Sequence, residues 1–200
     1  MIKSMRRQII VIGVIIMILN LFGCSERTKQ NNSKPSIQRQ LTEQIIDTTS
    51  DDMLLEVVYN NLFHKLLAAN DKEYEIVMSW NKSRQAIYMI VQLEAEVNNG
   101  GYNQFYFNSS GQFAQALPDA LKLVGATKFA DLTERANNTF EKDKSKITEH
   151  QDGTIEGFSK SYENNPLHKF DDEFYKLNET KNLQKIQVDY IRKNKKEFTD

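Results

Sequence analysis

The chain is poor in the residues that most often carry chemistry or covalent structure. It has one cysteine, Cys24, three prolines, one tryptophan and three histidines in 200 residues. A single cysteine excludes an intramolecular disulfide and any cysteine-based metal site. His64, His150 and His168 lie far apart and form no HxxH or HExxH pair, so no metal ligand set is expected. No GxSxG is present, which removes the nucleophile-elbow class of hydrolase. Neither sign of charge dominates, with 26 Lys+Arg against 27 Asp+Glu. A binder of phosphate backbones needs a basic face, so nucleic acid is not an expected partner. Period-2 alternation and hairpin signals are also missing, which argues against a sheet.

What is present begins with an export pattern. Lys3, Arg6 and Arg7 precede an apolar run from Ile9 to Phe22. A charged segment followed by a run of this length reads as a signal peptide. The run is shorter than the roughly 20 residues of a spanning helix and contains Gly13 and Asn20. It ends in Leu21-Phe22-Gly23-Cys24, which resembles the lipobox cut by the lipoprotein-specific signal peptidase. The resemblance implies removal of residues 1–23 and a diacylglycerol on Cys24, and with it a place in the cell envelope. Ser25, rather than Asp, follows the cysteine, which by the same resemblance points to the outer membrane where the source has one. Two or more acyl chains give stable attachment where one is marginal.

Residues 24–50 form the expected lipidated cysteine and tether. The stretch is polar and poorly periodic, too weakly apolar to offset the cost of ordering, with Leu41 to Ile46 as the only hint of a helix. From Asp51 onward there are 19 basic and 24 acidic residues, and the pattern turns helical. Leu54, Val57, Val58, Leu62 and Leu66 recur at helical steps behind Ser50 or Asp51 as cap. Further helices are predicted at 73–79, 83–97, 103–108, from Pro118 to Gly125, and at 127–140, 154–162, 171–177 and 183–198. Asn98-Asn99-Gly100-Gly101 closes the third, since Asn and Gly tolerate the left-handed conformation. The expected fold is all-α, one compact multi-helix domain over 51–200, large enough for its own core.

The least ordinary stretch runs from Glu94 to Gly111 (EAEVNNGGYNQFYFNSSG). Two glycines permit a tight turn, four aromatics supply apolar area, and the amides of Asn98, Asn99, Asn103, Gln104 and Asn108 can donate and accept. One reading is a structural corner in which these amides satisfy hidden backbone groups. The other is a binding cleft with Glu94 or Glu96 as polar anchor. The candidate residues are Glu96, Asn98, Asn99, Gly100, Gly101, Asn103, Gln104 and Asn108.

This stretch resembles the bacterial family named after a DNA-mimic protein. Glu96 to Gly111 carries its Glu-Val-Asn-Asn-Gly-Gly-aromatic-x-Gln-Phe-aromatic-x-Asn-Ser-Ser-Gly pattern. Ala120-Leu121 with Val124-Gly125-Ala126, Phe170-Asp171 with Phe174-Tyr175, and Tyr190-Ile191 resemble it as well. The resemblance implies a helical domain, and its eponym implies inhibition of DNA-binding proteins by acidic mimicry. Two features depart from that role. The acidic excess is thin, with Asp171-Asp172-Glu173 as the main cluster, and an exported domain would not meet cytoplasmic targets. The expected function is therefore a membrane-anchored, non-catalytic module that binds a protein partner, of inhibitor or immunity type, with no cofactor. An envelope hydrolase is the competing class. Glu94 and Glu96 are two apart and point to different helix faces, so it would require Glu96 to meet His64 or His168 through folding. The basic run Arg192-Lys193-Asn194-Lys195-Lys196 is read as a solvated helix end, or as a contact for anionic headgroups.

Overall fold

The computed structural model describes residues 40–67, 72–150, 152 and 154–200. The signal segment, Cys24 and the tether up to residue 39 lie outside the described residues. Among the described residues the chain is helical without a strand. Its helices are α1 (Glu43–Thr48), α2 (Asp51–Leu66), α3 (Glu73–Ser79), α4 (Lys82–Phe107), α5 (Leu117–Leu123), α6 (Thr127–Ile147), α7 (Ile155–Lys160), α8 (His168–Lys181) and α9 (Leu183–Lys193). Short 3-10 turns follow α4 (Ser109–Phe113) and α9 (Lys195–Glu197). No helix among the described residues is long and apolar enough to cross a membrane.

Local chemistry explains several of the boundaries. Thr42, Asn81 and Thr154 each accept a backbone N–H three residues on, which caps α1, α4 and α7. Pro118 sits in the first turn of α5, where its missing N–H costs nothing. Asn182 adopts a left-handed φ of 47°, ends α8, and caps α9 by accepting from Lys185 N.

Helix α4 is the axis of the core. It is buried on nearly every side from Gln85 to Val97, and α2, α3, α5, α8 and the 3-10 turn after it pack around it. A helix apolar on one stripe would lie at the surface, whereas one buried all round must satisfy its polar side chains internally. Gln92 does so by donating to the hydroxyls of Tyr59 (2.8 Å) and Tyr88 (3.1 Å). Tyr88 in turn donates to Glu73 at 2.6 Å.

The packed body starts earlier than the boundary expected at Asp51. Leu41 is 1% exposed and Ile46 fully buried, so residues 41–49 pack against the body through these two side chains while most of the segment stays partly or fully open to solvent. Two aliphatic side chains amid polar neighbours gave too weak a periodicity to separate them from a linker. The break expected at Asn98–Gly101 is present, since the backbone leaves helical geometry at Gly100 and Gly101 inside the span 82–107. The helix expected to end at 140 instead continues to Ile147, across a local distortion at Asp143.

Candidate functional site

The Glu94–Gly111 stretch occupies the bend of α4 and the turn after it. At Gly101 the backbone takes φ +71°, and the Asp171 carboxylate lies where a Cβ would stand. A Cβ on Gly100 would strike Gln104 Oε1 and the Tyr162 hydroxyl. The bend therefore needs no side chain at either position. Breaking a helix inside a core exposes backbone groups that must find partners. They find them on α8 and on the turn that precedes it. Tyr102 N donates to Asp171 Oδ1 at 2.7 Å, Tyr162 OH donates to Gly100 O at 2.7 Å, and Tyr175 OH donates to Val97 O at 2.7 Å.

Glu96 is the polar centre. It is 2% exposed and accepts from Gln104 Nε2 (2.6 Å), Asn108 Nδ2 (2.8 Å) and Ser110 Oγ (2.8 Å). Asn99 Nδ2 donates to Gln104 Oε1 at 2.8 Å, which fixes the orientation of that amide. Burial pushes the Glu96 carboxyl up, its three donors pull it down, and Glu73 adds to the rise. Asn103 is fully buried, donating to Ser161 Oγ (2.7 Å) and accepting from Asn165 Nδ2 (2.8 Å). The aromatics run outward from the bend. Tyr106 stacks on Phe140 at 4.1 Å and donates to Asn137 Oδ1 at 2.6 Å, while Tyr102 meets Phe170 and Phe174 edge-on and bonds Thr133.

Seven of the eight candidate residues thus share one corner: Glu96, Asn99, Gly100, Gly101, Asn103, Gln104 and Asn108. Asn98 does not join it. It lies exposed on the surface. Glu94 points elsewhere, as the two-residue spacing requires. It is buried against α9, where it accepts from Gln187 Nε2 at 2.5 Å, and burial pushes its carboxyl up to about 7 against that hydrogen bond. Gln187 Oε1 is buried with no donor.

The carboxylate–histidine pairing that acid–base chemistry would need is not what Glu96 makes. Its bonds go to two amides and a hydroxyl, and His168 instead stacks on Tyr162 at the surface, 6.1 Å between centroids. Among the described residues no group of three or more His, Cys, Asp or Glu side chains is placed to hold a metal. The carboxyl nearest the bend is Asp171. Burial raises it to about 6, opposed by the Tyr102 N–H and by His168, with Asp172 adding to the rise.

In the basic run 192–196, Arg192 and Lys193 lie in the last turn of α9, and Lys193 and Lys196 are exposed as a solvated helix end requires, while Arg192 and Lys195 also make specific pairs. Arg192 pairs with Asp51 and donates to the carbonyls of Ile46 and Thr49, and Lys195 pairs with Asp47. A separate shallow groove of about 530 Å³ runs between α6 and α8, with the exposed Arg135–Glu173 pair across it and Leu177 in its wall.

Sequence reasoning missed the partners Asn137, Ser161, Tyr162 and Asn165. No local pattern marks them, because each is defined by distance in space. Asp171 and Tyr175 did carry a signal, in the Phe-Asp-x-x-Phe-Tyr stretch.

A family model described as DMP19-like protein matches residues 78–194, from the end of α3 through α9. No curated protein matches the chain.

Proposed function

Because the chain belongs to the DMP19-like protein family, we propose that it is a non-catalytic protein-binding module, held at a membrane of the cell envelope by lipid on Cys24. The observation that carries the non-catalytic part is the state of Glu96. A carboxyl that is 2% exposed and accepts three internal hydrogen bonds is spent on holding the fold and is shielded from a substrate. The family's name points to protein partners, reached in its eponym by imitation of DNA.

Acidic mimicry is the second reading, favoured only by family membership. A DNA mimic needs carboxylates in dense rows. Here many exposed acids alternate with cations: Glu173 with Arg135, Asp189 with Lys185, Glu156 with Lys160, and Asp51 with Arg192. The membrane part rests on the lipobox-like Leu21-Phe22-Gly23-Cys24.

Two experiments test the proposal. Palmitate labelling of cells should mark the wild type and leave Cys24→Ala unlabelled and uncut. Labelling of the variant would end the anchored reading. Crosslinking in whole cells should then capture one stoichiometric protein. Capture of cytoplasmic DNA-binding proteins instead would favour mimicry.

A further inference from the structure

Residues 41–49 and 192–200 grip each other across one end of the body. Leu41 N donates to Asp200 Oδ2, and Asp200 N donates back to Leu41 O, each at 3.0 Å. Arg192 binds the Ile46 and Thr49 carbonyls and the Asp51 carboxylate. Lys195 reaches Asp47 at 2.7 Å and Glu43 at 3.4 Å. From beneath, Asn81 and Arg84 hold the carbonyls of Glu197 and Thr199. Residues 41–49 and 195–200 both lie outside the matched span 78–194.

We propose that residues 41–49 are a releasable strap, seated by Leu41 and Ile46 and latched by Arg192 and Lys195, that opens while the helices beneath it stay folded. The cohesion of the strap differs in kind from that of the core. α1 has six residues, too few to hold a helix alone. Its full burial is limited to Leu41 and Ile46, with Ile45 partly covered, whereas α4 buries its whole middle. The rest of its hold is a few hydrogen bonds to Arg192 and Asp200 and a set of ion pairs. The acids involved are open to solvent, Asp47 at 51% and Asp51 at 71%, so salt screens these pairs. α2 follows directly and keeps its own core contacts through Leu54, Leu55, Val58 and Leu62. Segments of this kind open at lower free energy than the core.

The use of such a strap rests on the anchored reading given above. With Cys24 in a bilayer, opening moves the first fixed point of the packed body from Leu41 to Asp51, ten residues further along the chain from the anchor.

The test is hydrogen exchange read by mass spectrometry on the full chain in detergent. Amides of residues 45–49 should exchange about tenfold faster than those of residues 86–97 at low salt. Raising NaCl from about 50 to about 500 mM should quicken them about threefold more and leave 86–97 unchanged. Lys195→Gln should quicken these amides at low salt, shrink the salt response to the share left by Arg192 and Asp51, and leave the global unfolding midpoint in place. Exchange of 45–49 in step with α4, indifference to both salt and Lys195→Gln, or a fall in global stability in that variant would each overturn the strap. None of these readouts depends on an acyl group, so a failed strap and a failed anchor give different results.

Discussion

Glu94 makes the fold less stable as pH rises, and a single neutral substitution should reverse that. Its carboxyl is enclosed between α4 and α9 with Gln187 Nε2 as its hydrogen-bond donor, and burial raises it from 4.5 to about 7. The folded state therefore holds a proton that the unfolded chain releases above about pH 4.5. Stability from this group is fully present below that point, falls as pH rises, and levels off above about pH 7. A displacement of this size corresponds to about 3 kcal/mol at about pH 8, at 1.36 kcal/mol per unit. Glu94→Gln is neutral throughout, and its new amide is placed beside Gln187 Oε1, the buried acceptor without a donor. The variant should match the wild type near pH 4.5 and exceed it by about 3 kcal/mol near pH 8, a rise in Tm of roughly 6 to 12 °C for a domain this size. Urea unfolding at a series of pH values measures it. The readout is the difference between the two curves, because Asp171 titrates in an overlapping window and cancels. A difference that does not grow with pH, or a variant less stable at every pH, would refute the reasoning.

Three further outcomes follow from the bend of α4. Gly101→Ala places a Cβ against the Asp171 carboxylate at positive φ and should cost about 2 kcal/mol or more. Gly125→Ala, also at positive φ but facing open space, should cost only about 1 kcal/mol, and paired urea titrations separate the two. Glu96→Ala strips the acceptor from Gln104, Asn108 and Ser110 and should cost about 3 to 5 kcal/mol. Asn98→Ala should leave stability within about 0.5 kcal/mol, so any loss of partner capture in that variant reads as recognition rather than unfolding.

The helices were legible because their signals are local. The apolar steps from Leu54 to Leu66 fixed α2, and 73–79 was read at its observed bounds. Pro118 and the Asn-Asn-Gly-Gly run marked real transitions for the same reason: cap and turn chemistry acts over three or four residues. The buried state of Leu41 and Ile46 was not legible. It depends on Arg192, Lys195 and Asp200, some 150 positions away, and no window on the sequence contains both ends. The ion pairs of Arg192 and Lys195 were not legible for the same cause, since their partners Glu43, Asp47 and Asp51 lie at the other end of the chain. In the motif, composition announced a glycine turn with satisfied amides. Which groups satisfy which was hidden, because Tyr162, Asp171 and Tyr175 come from α8 and the segment before it.

The motif's unusual composition has a physical origin in the bend itself. A helix at the centre of a core cannot turn without freeing backbone groups where water does not reach, and each unmet group costs more than a hydrogen bond gains. Two glycines allow the turn, and three side chains from distant segments meet Val97 O, Gly100 O and Tyr102 N. Glu96 then ties the two halves together through Gln104 and Asn108. These residues are spent on holding the bend, so a matching motif in a family member predicts the same corner and carries no information about what that member binds. On the proposed protein-binding reading, partner choice falls to groups the bend does not use, such as Asn98 beside it and the groove between α6 and α8. Substitutions there should change partners at constant stability, while substitutions in the corner should abolish folding and binding together.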